Sequence, residues 1–387
     1  MLPATVSRPT LVAAVMATLA AGLAAGGDRG PCDPRPKRGE VGTVCGFRSP
    51  EDVEVVAAAG VMLVSQMAPL FGGGRGSLAA VTLESLSDDR AEVWTIWPPA
   101  DGSAPMRAAG AVPPAVGDPS CRTPPAAGAF APHGIASVAL ADGGVTRVAV
   151  VSHAPREAVE LFDLRGTGRA ATLAWRGCVP LPQRAAANDL AVRADGTLVA
   201  ANCVPTFAGV RGALWMLAAS FGMNTGDVLA WSPAGGWRQV AGTEARGANG
   251  IAIGAGGMPI WFTETGAGRV GRVDGSTGAT THAPIEGAPD NLSWTSRGTL
   301  VTATHLSTTA FLACALGRRP CLAPWALVEI EPHTLATTVL LRHDGSAVGA
   351  VTGAAEHGGR YYLGAVFDDR LGVWAPPAGA GAATPPE

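Results

Sequence analysis

The sequence predicts an all-β chain, a six-bladed β-propeller with a central tunnel and a candidate short capping helix. Three observations predict it. The 387 residues are 47% hydrophobic and include 52 Gly and 31 Pro, so short apolar runs alternate with turn formers along the whole length. A unit of polar residues, strand, turn and strand recurs, opening at Glu51, His133, Asn188, Asn249, Asp290 and about Val351. These starts are 82, 55, 61, 41 and roughly 60 residues apart, the spacing of repeats that each supply several short strands. Polar residues also return at one phase of each unit, which a pair of β-sandwiches would not explain.

In chain order, Arg8 precedes an apolar, Ala-rich run from Leu11 to about Ala25 that closes in small residues. Basic start, apolar middle and small-residue end are the parts of a secretory signal, and the run is shorter than the ~20 residues of a spanning helix. Residues 1–26 are therefore expected to be a signal peptide and residues 27–387 one propeller domain, exported to the periplasm or secreted. No later segment is apolar enough to span. Seven cysteines suit an oxidising compartment. Proximity suggests Cys32 with Cys45 and Cys314 with Cys321, then Cys121 with Cys178 across neighbouring repeats, leaving Cys203 as the odd thiol.

Residues 27–42 read as a polar lead-in. Val53 to Met67 reads as two strands turning at Ala58-Ala59-Gly60, followed by strands at Ser77 to Leu83 and Ala91 to Trp97. Pro98 to Ala131 holds eight prolines and reads as loop. From Ile135 the strands come closer together, with turns at Ala141-Asp142-Gly143-Gly144, Ala194-Asp195-Gly196, Ala255-Gly256-Gly257 and Ser296-Arg297-Gly298. Val210 to Phe221 breaks the pattern: it has helix formers and is apolar almost all round. It reads either as a buried packing segment or as a helix that caps the propeller mouth and lines an apolar pocket. The formal net charge of −3, with no basic stripe, no phosphate-cradling loop and no zinc-type Cys spacing, argues against a nucleic-acid partner. The sequence gives no firm evidence of membrane association after signal removal, and a short membrane anchor is the other reading of the N-terminal run.

The innermost strand of each propeller blade lines the tunnel, so residues at its start crowd around the axis. Asn-Asp, Asn-Gly and Asp-Asn pairs are ordinary turn formers when taken singly. At one phase of successive repeats they converge. Glu51, Asn188, Asn249, Asp290 and Asn291 then present two carboxylates and three amide carbonyls to a common point, a donor set for a hard cation, with calcium the best match. Asp52 and Asp189 follow those positions by one residue. Strand alternation would send them to a second, deeper cation with a main-chain carbonyl such as that of Ile135, or leave them bonding nearby backbone amides. His133 stands at the tunnel mouth by phase, His153 lies one hairpin later, and His305 closes the hairpin that starts at Asp290. His282, His333, His343 and His357 read as surface or satisfied residues.

At these positions the chain resembles the calcium-dependent paraoxonase/arylesterase family of lactonases, within the gluconolactonase-like six-bladed propellers. The resemblance rests on Pro50-Glu51-Asp52-Val53, Pro132-His133-Gly134-Ile135, Val150-Val151-Ser152-His153 running on to Val159-Glu160-Leu161-Phe162, Asn188-Asp189, Ala248-Asn249-Gly250-Ile251, Asp290-Asn291 and Thr304-His305, all in the family's order. It implies a catalytic calcium held by Glu51, Asn188, Asn249, Asp290 and Asn291, and a structural calcium held by Asp52, Asp189 and the carbonyl of Ile135. It also implies His133 and His153 as a catalytic pair, with His305 lining the pocket. Ser152 stands where the family often has Asn, and Cys203 where it has an acidic residue near the second histidine. The expected activity is calcium-dependent hydrolysis of lactones or aryl esters, with small-molecule substrates. His133 is the expected base and His153 the expected relay; Asp290 is an alternative base or nucleophile. The competing readings are a gluconolactonase-type sugar lactonase and a non-catalytic exported propeller that binds through its face.

Overall fold

The structure, a computed structural model, describes residues 30–67, 75–87, 91–99, 116–141, 143–203 and 222–377. The expected signal peptide and the expected capping segment Val210 to Phe221 lie outside these residues. The described strands form six four-stranded antiparallel sheets, the blades of a propeller.

The first strand, β1 (Val41–Cys45), belongs to the last blade. The first blade is β2 (Pro50–Val56), β3 (Val61–Gln66), β4 (Ser77–Thr82) and β5 (Trp94–Trp97). The second is β6 (Pro132–Ala139), β7 (Thr146–Ser152), β8 (Ala158–Arg165) and β9 (Thr172–Pro180). The third is β10 (Ala187–Val192), β11 (Leu198–Asn202), β12 (Asp227–Ser232) and β13 (Gly236–Gln239). The fourth is β14 (Ala248–Ile253), β15 (Ile260–Glu264), β16 (Arg269–Val273) and β17 (Thr280–Pro284). The fifth is β18 (Ala288–Trp294), β19 (Leu300–His305), β20 (Trp325–Ile330) and β21 (Thr337–His343). The sixth is β22 (Val351–His357), β23 (Arg360–Ala365) and β24 (Arg370–Trp374), completed at its outer edge by β1.

The lead-in that the sequence presents as merely polar thus ends in the strand that closes the ring. β1 runs antiparallel to β24 with Val41 opposite Trp374 and Cys45 opposite Arg370. The Cys32–Cys45 disulfide anchors it, and the Trp374 indole donates to the Gly39 carbonyl. Cys121–Cys178 and Cys314–Cys321 are the other two bridges, and Cys203 is the free thiol, as proximity suggested.

Valine, leucine and aromatic side chains on the blade faces meet those of the next blade, so the apolar core is divided into clusters between sheets. Between the first two blades, Leu63, Leu78, Trp97, Val148 and Phe162 are buried together, with the Trp97 and Phe162 rings edge to face at 4.9 Å. Strand alternation supplies such faces on every strand, which is why the strand pattern is legible from composition alone. One α-helix is present among the described residues: α1 (Thr308–Ala315), inserted between β19 and β20. The Ser307 side chain caps its first turn by accepting from the Ala310 amide.

A shared irregularity positions the polar residues. In all six blades the pairing of the innermost strand with its neighbour slips at the strand start: between Pro50 and Asp52, Pro132 and Ile135, Ala187 and Leu190, Ala248 and Ile251, Pro289 and Leu292, and Val351 and Gly353. Glu51, His133, Asn188, Asn249, Asp290 and Thr352 sit in these slips. A β-bulge carries an extra residue and bends its strand, so alternation alone does not govern which way adjacent residues point there. The bulge, together with pleat alternation, therefore sets how Asp52 and Asp189 point relative to Glu51 and Asn188.

Close approach at the axis also explains glycine after two of the bulge residues. A Cβ on Gly250 would meet the main chain of Asp290, Asn291 and Leu292, with the Asp290 carbonyl oxygen 2.5 Å away. Backbone has no means to yield as a flexible side chain would. Gly250→Ala is expected to lower the unfolding free energy by about 1–3 kcal/mol, the cost of overpacking, read from the midpoint of a urea transition. An unchanged midpoint would show that the blades at the axis are not packed this tightly.

Candidate active site

The polar residues predicted from four separate stretches of sequence stand at the bulges of four innermost strands. Glu51 comes from β2, Asn188 from β10, Asn249 from β14, and Asp290 and Asn291 from β18. Four of these five are buried and Asn188 is half-buried. Each has one side-chain oxygen without a hydrogen-bond partner: Glu51 Oε2 and the Oδ1 atoms of Asn188, Asn249, Asp290 and Asn291. A buried, unsatisfied polar group costs about 1–3 kcal/mol, so five of them in one predicted set are a shared feature and not scattered defects. Oxygen donors without sulfur or imidazole fit a hard cation.

The remaining polar atoms of the ring are held in place. Asn291 Nδ2 donates to Glu51 Oε1 at 3.1 Å, which turns the amide oxygen away from Glu51. His305 Nε2 lies 2.8 Å from Asp290 Oδ2. Thr263 Oγ1 accepts from the Gly250 amide and donates to the Asp290 carbonyl, joining the fourth and fifth blades. Thr352 donates to the Glu51 carbonyl, joining the sixth to the first. The sixth bulge therefore contributes a stitch between blades where the second contributes an imidazole and the other four contribute oxygens.

Asp52 and Asp189 lie one residue further along the axis, and both are buried. Each carboxylate accepts one amide from its own strand and one from the next blade: Asp52 from Val53 and Ile135, Asp189 from Leu190 and Ile251. The amide bonds foreseen as the alternative reading are thus present, and Ile135 meets Asp52 through its N–H. Burial first, and then repulsion from Asp189 and Glu51, pushes Asp52 well above the usual carboxylate range. Burial likewise raises Asp189, against the opposing effect of its two amide bonds.

His133 and His153 are brought together. His133 Nδ1 lies 2.8 Å from His153 Nε2, and His133 Nε2 lies 3.4 Å from Glu51 Oε1. Burial alone would push the His133 imidazole down, but the carboxylate of Glu51, with those of Asp290 and Asp189, holds it above its ordinary value. Beyond the pair stands a residue that sequence reasoning missed. Glu157 Oε2 is 2.7 Å from His153 Nδ1, and the Glu157 carbonyl is itself held by the Leu181 amide. The acid that orients His153 therefore comes from the loop four residues after it, not from the Cys203 position. Burial pushes the Cys203 thiol up to about 12, so it offers no charge for that role. Ser152 donates to the Ala154 carbonyl and so shapes the same loop.

The wall beside His305 is apolar. Phe311 on α1 packs against the His305 ring at 4.4 Å and against Phe367 at 5.1 Å. Elsewhere, Glu160 lies beside the sulfurs of Cys121 and Cys178. Those sulfurs are joined to each other, and the carboxylate is engaged by Trp175 and Arg156, so this cluster is no metal site.

No protein-family model matches the chain, and no curated protein matches it in sequence. Solved structures do match. The luciferin-regenerating enzyme aligns over 87% of this chain and 95% of its own, at 13% identity and a TM-score of 0.50. A gluconolactonase from Xanthomonas campestris aligns over 91% of this chain and 99% of its own, at 14% identity and a TM-score of 0.47. A PQQ-bound aldose sugar dehydrogenase from Streptomyces coelicolor aligns over 87% and 98%, at 14% identity and a TM-score of 0.47. At such identities the likeness carries the fold alone: the chain is a six-bladed β-propeller.

The unsatisfied oxygens make one direct expectation. Added calcium should raise the unfolding free energy of the protein, by about 2.7 kcal/mol at a hundredfold excess over Kd. Asn249→Ala should weaken that response at least tenfold in calcium concentration. Calorimetric melts across a calcium series read both, and a melting temperature indifferent to calcium would count against a cation at the ring.

Proposed function

We propose that this protein is a calcium-dependent hydrolase of lactones and aryl esters, resembling the paraoxonase/arylesterase family. The observation that supports it most is the line from Glu157 through His153 to His133, ending beside the five unsatisfied oxygens. Glu51, Asn188, Asn249, Asp290 and Asn291 would hold one calcium, with Asp52, Asp189 and the Ile135 carbonyl around a second. Calcium bound at the ring supplies Lewis-acid polarisation of the substrate carbonyl and a counter-charge for its oxyanion.

The side chains of this chain supply the proton path. The Glu157 carboxylate only accepts, so His153 carries its proton on Nδ1 and leaves Nε2 as an acceptor. His133 then donates from Nδ1 to that atom, and its Nε2, facing Glu51, is the position at which that carboxylate favours a proton taken from water. As His133 becomes cationic, its Nδ1 proton shifts toward His153 Nε2, and the charge spreads toward Glu157. Asp290 is the less suited base, since its Oδ2 is engaged by His305. Phe311 and Phe367 beside His305 suit an alkyl or aryl group on the substrate. A gluconolactonase-type enzyme or a non-catalytic binding propeller has no evident use for this buffered histidine pair.

Hydrolysis of aliphatic γ- and δ-lactones and phenyl acetate should be lost on chelation and regained with calcium. His133→Gln should lower kcat by roughly 10²–10⁴-fold, the usual contribution of a positioned base, while keeping the calcium-induced rise in melting temperature. Glu157→Ala should lower kcat on the order of 10–100-fold with little change in KM, since it removes the orientation of the base and leaves the base present. A folded, calcium-loaded protein that turns over none of these substrates would sink the hydrolase reading and favour the binding propeller.

A further inference from the structure

Glu51, Asn188, Asn249 and Asp290 stand at the starts of innermost strands, and a cavity opens toward the other ends of those strands. Beyond Asp52 and Asp189, on the side away from Glu51, the innermost strands of all six blades enclose a cavity of about 480 Å³. Its lining includes Asp52 and Asp189 themselves, Glu54 and Ser137, and then Trp294 and His357 at the outer rim. None of the five ring residues lines it. The buried aspartates thus meet open space on this far side. At about 30 Å³ per water, the cavity has room for roughly fifteen waters, enough for an ion to travel with much of its hydration.

Glu54 is placed along this path. It lies two residues beyond Asp52 on β2, so about 6–7 Å further out at the rise of a strand. It is half-buried. Ser137 of the second blade donates to its Oε1 at 2.5 Å, which holds one carboxylate oxygen against the tunnel wall. Small residues around it, among them Ala191 and Ser293, keep the bore open.

We propose that the deep cation exchanges through this far end of the tunnel, with Glu54 as the carboxylate that receives it between solvent and the Asp52–Asp189 pair. The proposal rests on the two-calcium reading above. A dehydrating cation needs replacement oxygens along its way, and calcium accepts carboxylates at loose geometry. Glu54 supplies one at half distance, lowering the barrier without adding to the final ligand set. Exchange of the deep ion is therefore independent of what occupies the ring end.

The test uses the full mature protein loaded with calcium, whose release into a fluorescent chelator is followed by stopped flow, with equilibrium binding measured by calorimetry. Two bound ions and two release phases are expected in the wild type. Glu54→Gln, which keeps the shape of the side chain, should slow the deeper phase about tenfold and leave its Kd unchanged. Ser293→Phe, which narrows the bore, should slow the same phase and spare the other. A lactone product analogue at saturating concentration should slow only the ring-end phase. One bound ion or none in the wild type overturns the two-calcium reading and the route with it. Two ions whose slow phase ignores both substitutions overturn the route alone. A weaker deep site and faster release in Glu54→Gln overturn the relay role, making Glu54 a ligand instead.

Discussion

Negative charge concentrated on a narrow axis is the constraint around which the rest of this molecule is arranged. Glu51, Asp52, Asp189 and Asp290 are all buried there, and burying even one ionised carboxylate costs several kcal/mol without compensation. Their partial satisfaction is shared between their own blades and others: amides of Val53 and Leu190 from the same strands and of Ile135 and Ile251 from the next blades on the aspartates, Asn291 of another blade on Glu51, and His305 of the same blade on Asp290. The carboxylates of Glu51, Asp52 and Asp189 are consequently fasteners between sheets as well as sources of repulsion. The ring of blades must be closed for either role to exist. The Cys32–Cys45 bridge and β1 see to closure at the one joint where the chain ends meet.

Much of this could be read from the chain. Six strand starts with polar residues at one phase were enough to number the blades, because side-chain alternation and turn chemistry are local properties. The common placement of Glu51, Asn188, Asn249 and Asp290 at the starts of innermost strands followed from that phase. Pairing of the cysteines followed from short intervening loops and from adjacency of repeats.

The parts that were not legible depend on geometry that no local pattern encodes. Glu157 looks like an ordinary surface acid after Ala154-Pro155, and only the course of the loop returns it to His153. β1 is a short strand in a polar stretch, and its partner β24 lies at the other end of the sequence. α1 is brief, although Ser307 ahead of an Ala- and Leu-rich run is a readable cap. The bulges left one trace that could have been used. Asp290 and Asn291 are consecutive, and a strict period of two cannot aim both at one centre, so the expectation of both as donors already required an irregular strand there.

That irregularity recurs once per blade, and its recurrence has an evolutionary consequence. The chemistry of the axis is written at six equivalent positions, now holding Glu51, His133, Asn188, Asn249, Asp290 and Thr352. The apolar clusters between blades do not include these residues. Replacement at one such position therefore alters what the axis can bind without repacking any core, and a duplicated or exchanged blade arrives with its position already aimed inward. A scaffold of this kind can wander between chemistries one residue at a time while its apolar clusters stay the same.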